Sequence, residues 1–125
     1  GLGGSEMCIR ESPDVATAPL GAWGPAIQVL PDFPEGVNVG FMETVARDHI
    51  RLRVFERGSG ETLACGSGAC AAVVIGRLWG ELEPDVSVDL PGGRLRIHWT
   101  GAGEPVWMTG PAVRVFDGQL SDVQA

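Results

Sequence analysis

The sequence predicts an α+β domain, a mostly antiparallel sheet wrapped around one buried central helix. Three observations predict it. From Val37 onward, short runs alternate apolar and polar residues, the two-residue period of a strand with one buried face. One stretch, residues 66–79, is instead apolar nearly all round, as a helix buried on every side must be. Finally, 19 of the 125 residues are Gly and nine are Pro, so elements are short and connections tight. With 44% apolar residues the chain can bury a core.

In chain order, residues 1–22 hold no period and are expected to be an irregular segment, a non-native or truncated edge before a domain at 23–125. Gly24 to Leu30 reads as a short helix with Pro25 at its first position and Pro31 beyond its end. Val37, Val39 and Phe41 form one strand; Ile50, Leu52 and Val54 form the next, with a turn at Arg47-Asp48-His49 between them. Residues 58–64 read as a loop. The helix at 66–79 follows, with Gly80 as its C-terminal stop. Val86, Val88 and Leu90 then pair with Leu95, Ile97 and Trp99 across a Pro91-Gly92-Gly93 turn, and runs at 105–108 and 113–116 close the set.

Composition removes several function classes. A net charge of −7 argues against nucleic acid and against an anionic membrane surface. No apolar run approaches the roughly 18 residues a spanning helix needs. The chain has no Lys, so it carries no Schiff-base lysine and no phosphate-loop lysine. Three Cys behind no signal-like pattern are read as reduced thiols in the cytoplasm.

The chemistry concentrates in Glu56-Arg57-Gly58-Ser59-Gly60-Glu61-Thr62-Leu63-Ala64-Cys65-Gly66-Ser67-Gly68-Ala69-Cys70-Ala71. Cys65 stands where loop becomes helix. First-turn amides have no partner within the helix, and the macrodipole places about half a positive charge there. Such a site lowers a thiol from its ordinary pKa of about 8.5 and also suits a carboxylate. The plainer alternative for Cys65 is a small apolar residue or a cap. Cys70 lies inside the apolar helix and reads as core; Cys8 reads as incidental. Five helical residues separate Cys65 from Cys70 by more than roughly 7 Å and about 140°, too far for a disulfide. His49 and His98 are isolated from every Cys, so no metal is expected. Arg57 is suited to a carboxylate and Glu56 to an ammonium group, although a surface ion pair is the commoner use of such residues. Asn38 either binds a ligand or caps a turn.

The Glu56–Ala71 run resembles the signature around the second catalytic cysteine of the diaminopimelate epimerases. Three flanking runs agree: Phe33 to Phe41, Leu90-Pro91-Gly92-Gly93, and Pro105 to Ala112. The resemblance spans about residues 20–120, and residues 1–15 match nothing in it. It implies one half of a two-halved fold and a cofactor-independent isomerase of lysine biosynthesis. Two cysteines there exchange protons at the α-carbon of LL- and meso-diaminopimelate. Carried over, Cys65 and Glu56 are catalytic. Gly66 and Ser67 bind the reacting carboxylate, Glu56 and Arg57 hold the distal ammonium and carboxylate, and Asn38 is a further substrate contact. The resemblance implies a small diamino dicarboxylate as partner, and a homodimer for the full-length enzyme.

The first catalytic cysteine and its glycine-rich surroundings have no counterpart here, and Cys8 does not substitute. Proton redelivery to the far face of a stereocentre needs a second group, so the chain alone is expected to be inactive. Two other readings remain at this point: a proline or hydroxyproline racemase-like enzyme, for which Glu56-Arg57 is superfluous, and a non-catalytic carboxylate-binding module.

Overall fold

A computed structural model of the chain describes residues 7–31, 37–56, 58, 60–62, 66–110, 114–118 and 123–124. Along these run β1 (Met7–Glu11), a single 3-10 turn (Val15–Thr17), α1 (Leu20–Gln28), β2 (Asn38–Ala46), β3 (His49–Glu56) and β4 (Gly60–Thr62). After them come α2 (Gly66–Leu78), β5 (Asp85–Leu90), β6 (Gly93–His98), β7 (Val106–Thr109), β8 (Arg114–Gly118) and β9 (Val123–Gln124). All strands join one sheet in the order β8-β7-β6-β5-β3-β2-β1-β9, with β4 paired to β3. Three pairings are parallel, β1 with β2, β1 with β9 and β3 with β5; the other five are antiparallel.

Covalent reach shows that this sheet curls. Eight strands in that order leave seven gaps of about 4.8 Å, so a flat sheet would hold its edges roughly 34 Å apart. Yet β8 ends at Gly118 and β9 begins at Val123, and five residues span at most about 18 Å. The edges therefore approach one another, and the space they enclose holds α2. This helix contacts β1, β2, β3, β6, β7 and β9. Every residue from Gly68 to Gly76 is buried, and the inner faces of the strands supply Ile9, Met42, Ile50, Leu52, Val54, Val86, Val88, Ile97, Val106 and Met108 to the same core. The predicted buried helix and mostly antiparallel wrap are thus found.

A second, smaller core lies outside the sheet. Cys8 of β1, Val37 just ahead of β2, and Val39 and Phe41 of β2 point outward and are covered by Val15, Ala18, Leu20 and Ile27. β2 is therefore buried on both faces, not on one as the alternation predicts. The expectation of an irregular segment at 1–22 is also corrected, since residues 7–11 form a strand within the sheet. Met7 and Ile9 face α2 while Cys8 faces the outer layer, so β1 is apolar on both faces and shows no two-residue period. Likewise α1 begins at Leu20, earlier than predicted, and takes Pro25 inside. Pro19 stands at its N-cap position without a side-chain cap, so no sequence signal marks its start. Finally, Gly60–Thr62, predicted as loop, pairs with Val54–Glu56.

Candidate functional site

Strand direction decides which ends meet. β3 ends at Glu56, and antiparallel β2 begins beside it at Asn38. Extending the Val39↔Phe55 and Gly40↔Val54 register by one residue sets Asn38 opposite Glu56. Both lie on the face of Val54 and Met42, which is the face that meets α2. Opposed residues on neighbouring strands hold their β-carbons about 5 Å apart. On the other side of Glu56 its register partner is Gly60, which brings no side chain. Glu56 and Asn38 are both half-buried.

The Pro91-Gly92 turn and the C-terminal end of β7 point the same way, because β5 is parallel to β3 and β7 runs antiparallel to β6. α2 begins at this end and finishes at the opposite one, where Arg47 Nη1 donates to Gly80 O at 3.2 Å. Gly66 and Ser67 are thus its first residues, half-buried and exposed respectively, at the positive end of the helix dipole. A β-carbon built on Gly66 would lie 2.9 Å from Met108 Cε and 3.1 Å from Sδ, so β7 packs directly onto the helix start.

β4, which leads into α2, is pinned from outside. Arg53 donates through Nε and Nη2 to both Glu61 oxygens, at 2.6 and 2.7 Å. This pairing lowers the Glu61 carboxyl pKa and raises that of Arg53.

Of the residues singled out in the sequence, Glu56, Asn38, Gly66 and Ser67 are brought to one end of the sheet. Cys65 and Arg57 lie outside the described residues, as do residues 33–36 and 111–112 of the flanking runs. Cys70 and Cys8 are buried, in the inner and the outer core respectively, and burial raises the Cys8 thiol pKa. His49 and His98 are paired on the outer face to Asp89 and Asp85, at 2.6 and 2.7 Å. Met108 and Gly60 were not picked out individually. Each sits within a quoted motif, but only the packing of β7 on α2 places Met108 at Gly66, and only register places Gly60 at Glu56.

A curled sheet holding a helix, with polar groups gathered at the helix start, defines a fold class that also occurs among solved structures. The crystal structure of a Bacillus anthracis phenazine biosynthesis protein of the PhzF family matches with a TM-score of 0.55 at 19% identity, covering 80% of this chain and 33% of that one. The diaminopimelate epimerase family model matches residues 6–115, and the chain belongs to that family. It is 61% identical over 117 residues to a diaminopimelate epimerase of Alkalilimnicola ehrlichii and 57% identical over 117 residues to one of Nitrosomonas europaea. Each alignment covers 94% of this chain, which spans 42% of each relative's length. The family match begins at residue 6, so the expectation that residues 1–15 match nothing is corrected.

Proposed function

We propose that this chain is the portion of a cofactor-independent diaminopimelate epimerase that carries one of its two acid/base thiols. Cys65 removes the α-proton as thiolate in one direction, breaking a C–H bond and forming S–H, and returns a proton as thiol in the other. Gly66 and Ser67 hold the reacting carboxylate, where the helix dipole favours the negative charge that develops as the proton leaves. Glu56, Arg57 and Asn38 hold the distal ammonium and carboxylate. The substrate is a small diamino dicarboxylate in the cytoplasm, and the full-length enzyme is a homodimer.

One observation carries this reading. Asn38, Glu56 and the Gly66–Ser67 turn come from three separate stretches and meet at one end of the sheet. A carboxylate beside an asparagine suits a substrate with a second charged end, and a monocarboxylate such as proline would leave Glu56 idle.

Inversion requires a second proton donor on the opposite face of the α-carbon. Cys70 and Cys8, at 1% and 2% exposure in the two cores, do not offer it. The second thiol then belongs to the part of the relatives' length that this chain does not span, and the 125 residues alone form no meso-diaminopimelate above a Cys65→Ser control. The reading is tested by alkylating the chain with iodoacetamide and mapping the label. We expect Cys65 to react faster at pH 7 than an ordinary thiol and to be protected by meso-diaminopimelate but not by proline. Ordinary reactivity, or equal protection by both ligands, overturns it.

A further inference from the structure

We infer that Met108 is a positioning residue for this site: its thioether packs on the α-carbon of Gly66 and sets where the first turn of α2 stands relative to Glu56 and Asn38. The inference rests on the function proposed above and adds a residue to it. Three features carry it.

First, the approach is closer than a β-carbon at position 66 allows unless the Met108 thioether moves. A β-carbon there would meet Met108 Cε at 2.9 Å and Sδ at 3.1 Å. The glycine is thus explained by a neighbouring strand, where the sequence alone offers only a ligand. Second, Met108 is buried at 6% exposure on the inner face, with its register partner Ile97 buried beside it. Its thioether has little room to withdraw, although methionine is the side chain best able to shape itself to an irregular gap. Third, β7 lies three strands from β3 in the sheet order, β7-β6-β5-β3. The helix start is tied by the chain to β4 on one side and pressed by Met108 on the other. Its place across the enclosed space is therefore set from both walls. A shift of about 1 Å in such a group is enough to lower a reaction rate by roughly a hundredfold.

The test follows Cys65, covalently bonded to Gly66, as reporter. The rate of its alkylation is measured against pH in the unsubstituted chain and in Met108→Ala, Met108→Leu, Gly66→Ala and the double variant Gly66→Ala with Met108→Ala. Urea midpoints are measured alongside. We expect Met108→Ala to slow labelling at pH 7 by roughly 3- to 10-fold and to move the pH midpoint upward, because the first turn of α2, whose free amides and dipole favour a thiolate, is no longer held in place by the thioether. Met108→Leu restores most of the volume and most of the rate, and it also covers a failure of the alanine variant to fold. Gly66→Ala slows labelling in the otherwise unsubstituted chain and much less when combined with Met108→Ala, where its β-carbon has space. A Met108→Ala profile that overlays the unsubstituted one, with only the urea midpoint lowered, overturns the inference. So does a double variant whose losses simply multiply. An ordinary thiol profile in the unsubstituted chain overturns the proposed function instead. The coupling is then read from the urea midpoints, where additive losses in the double variant overturn the inference and a shortfall from additivity upholds it.

Discussion

Arg53 does more for this fold than its half-buried position on an outer strand face implies. Two of its nitrogens bind Glu61 on β4, while Nη1 donates to Val15 O at 2.8 Å and Ala18 O at 3.1 Å in the outer layer. One planar fork thereby joins β3, β4 and the segment leading to α1. Lysine has no such fork, so Arg53→Lys should lose roughly 1–2 kcal/mol in urea denaturation and Arg53→Ala at least as much, since both carbonyls then lose their charged donor and keep only a backbone N–H each, from Ala18 and Leu20. Asp89 gives a pH-dependent case. Its carboxyl is held down to about 2, chiefly by the Arg94 hydrogen bond, against partial desolvation and with help from His49. A carboxyl depressed in the folded state stabilises above its unfolded pKa of about 3.9, and that contribution disappears as pH falls through the folded value. Arg94 is 59% exposed, so solvent screening keeps the gain within about 1 kcal/mol. Asp89→Asn should therefore be less stable at pH 7 by up to that amount, and the difference should shrink between about pH 4 and pH 2. A pH-independent difference would show that the ion pair is not its source.

At the scale of elements, the C-terminus of α2 is the most fully built junction. Glu81 N–H donates to Gly76 O at 2.9 Å and Gly80 N–H to Arg77 O at 3.0 Å, the paired bonds of a Schellman motif, with Gly80 at φ +79°. Gly80→Ala should cost about 1 kcal/mol through the left-handed backbone alone. Glu81 hydrogen-bonds to the Glu11 carboxyl, which raises its pKa, as do burial and repulsion from Glu11. A raised carboxyl stabilises below its unfolded pKa, and the contribution is lost as pH rises through the folded value. Glu81→Gln should thus gain roughly 0.5 kcal/mol at pH 7 and nothing near pH 4, read from urea midpoints at the two pH values. Gly80 was legible in the sequence because a glycine after an apolar run has one common use; the Glu11–Glu81 pair was not, because β1 itself was hidden. The same division holds for the site. Glu56 and Asn38 were legible as strand ends, since alternation through Val54 and Val39 gives their place. Met108 was not, because a methionine in a strand reads as core until register shows what it faces. Elements with one wet face announce themselves, whereas β1, covered on both, shows no period, and β2 keeps a period that marks the strand but not its second buried face.

The whole molecule is a sheet with a thick filling and a thin cover. Inside, α2 and the inner strand faces make one continuous core; outside, α1 and a 3-10 turn cover Cys8, Val37, Val39 and Phe41. The cover is the weaker layer on three counts. α1 spans only Leu20–Gln28, below the about 12 residues at which a helix becomes marginal alone. Pro25 inside it removes a hydrogen bond, and no side chain caps its start. Its approach segment is held to the sheet by Arg53. The two buried cysteines report on the two layers, Cys8 on the cover and Cys70 on the filling. Local opening of the cover should expose Cys8 while Cys70 remains protected. Pulsed alkylation at rising urea should therefore label Cys8 at a lower concentration than Cys70, with the Cys70 transition coinciding with loss of helical circular dichroism. Arg53→Ala should widen the gap, moving the Cys8 transition further down than that of Cys70. Coincident transitions in both proteins would mean that the layers unfold as one unit, with β1, shared by the two cores, coupling the cover to the filling.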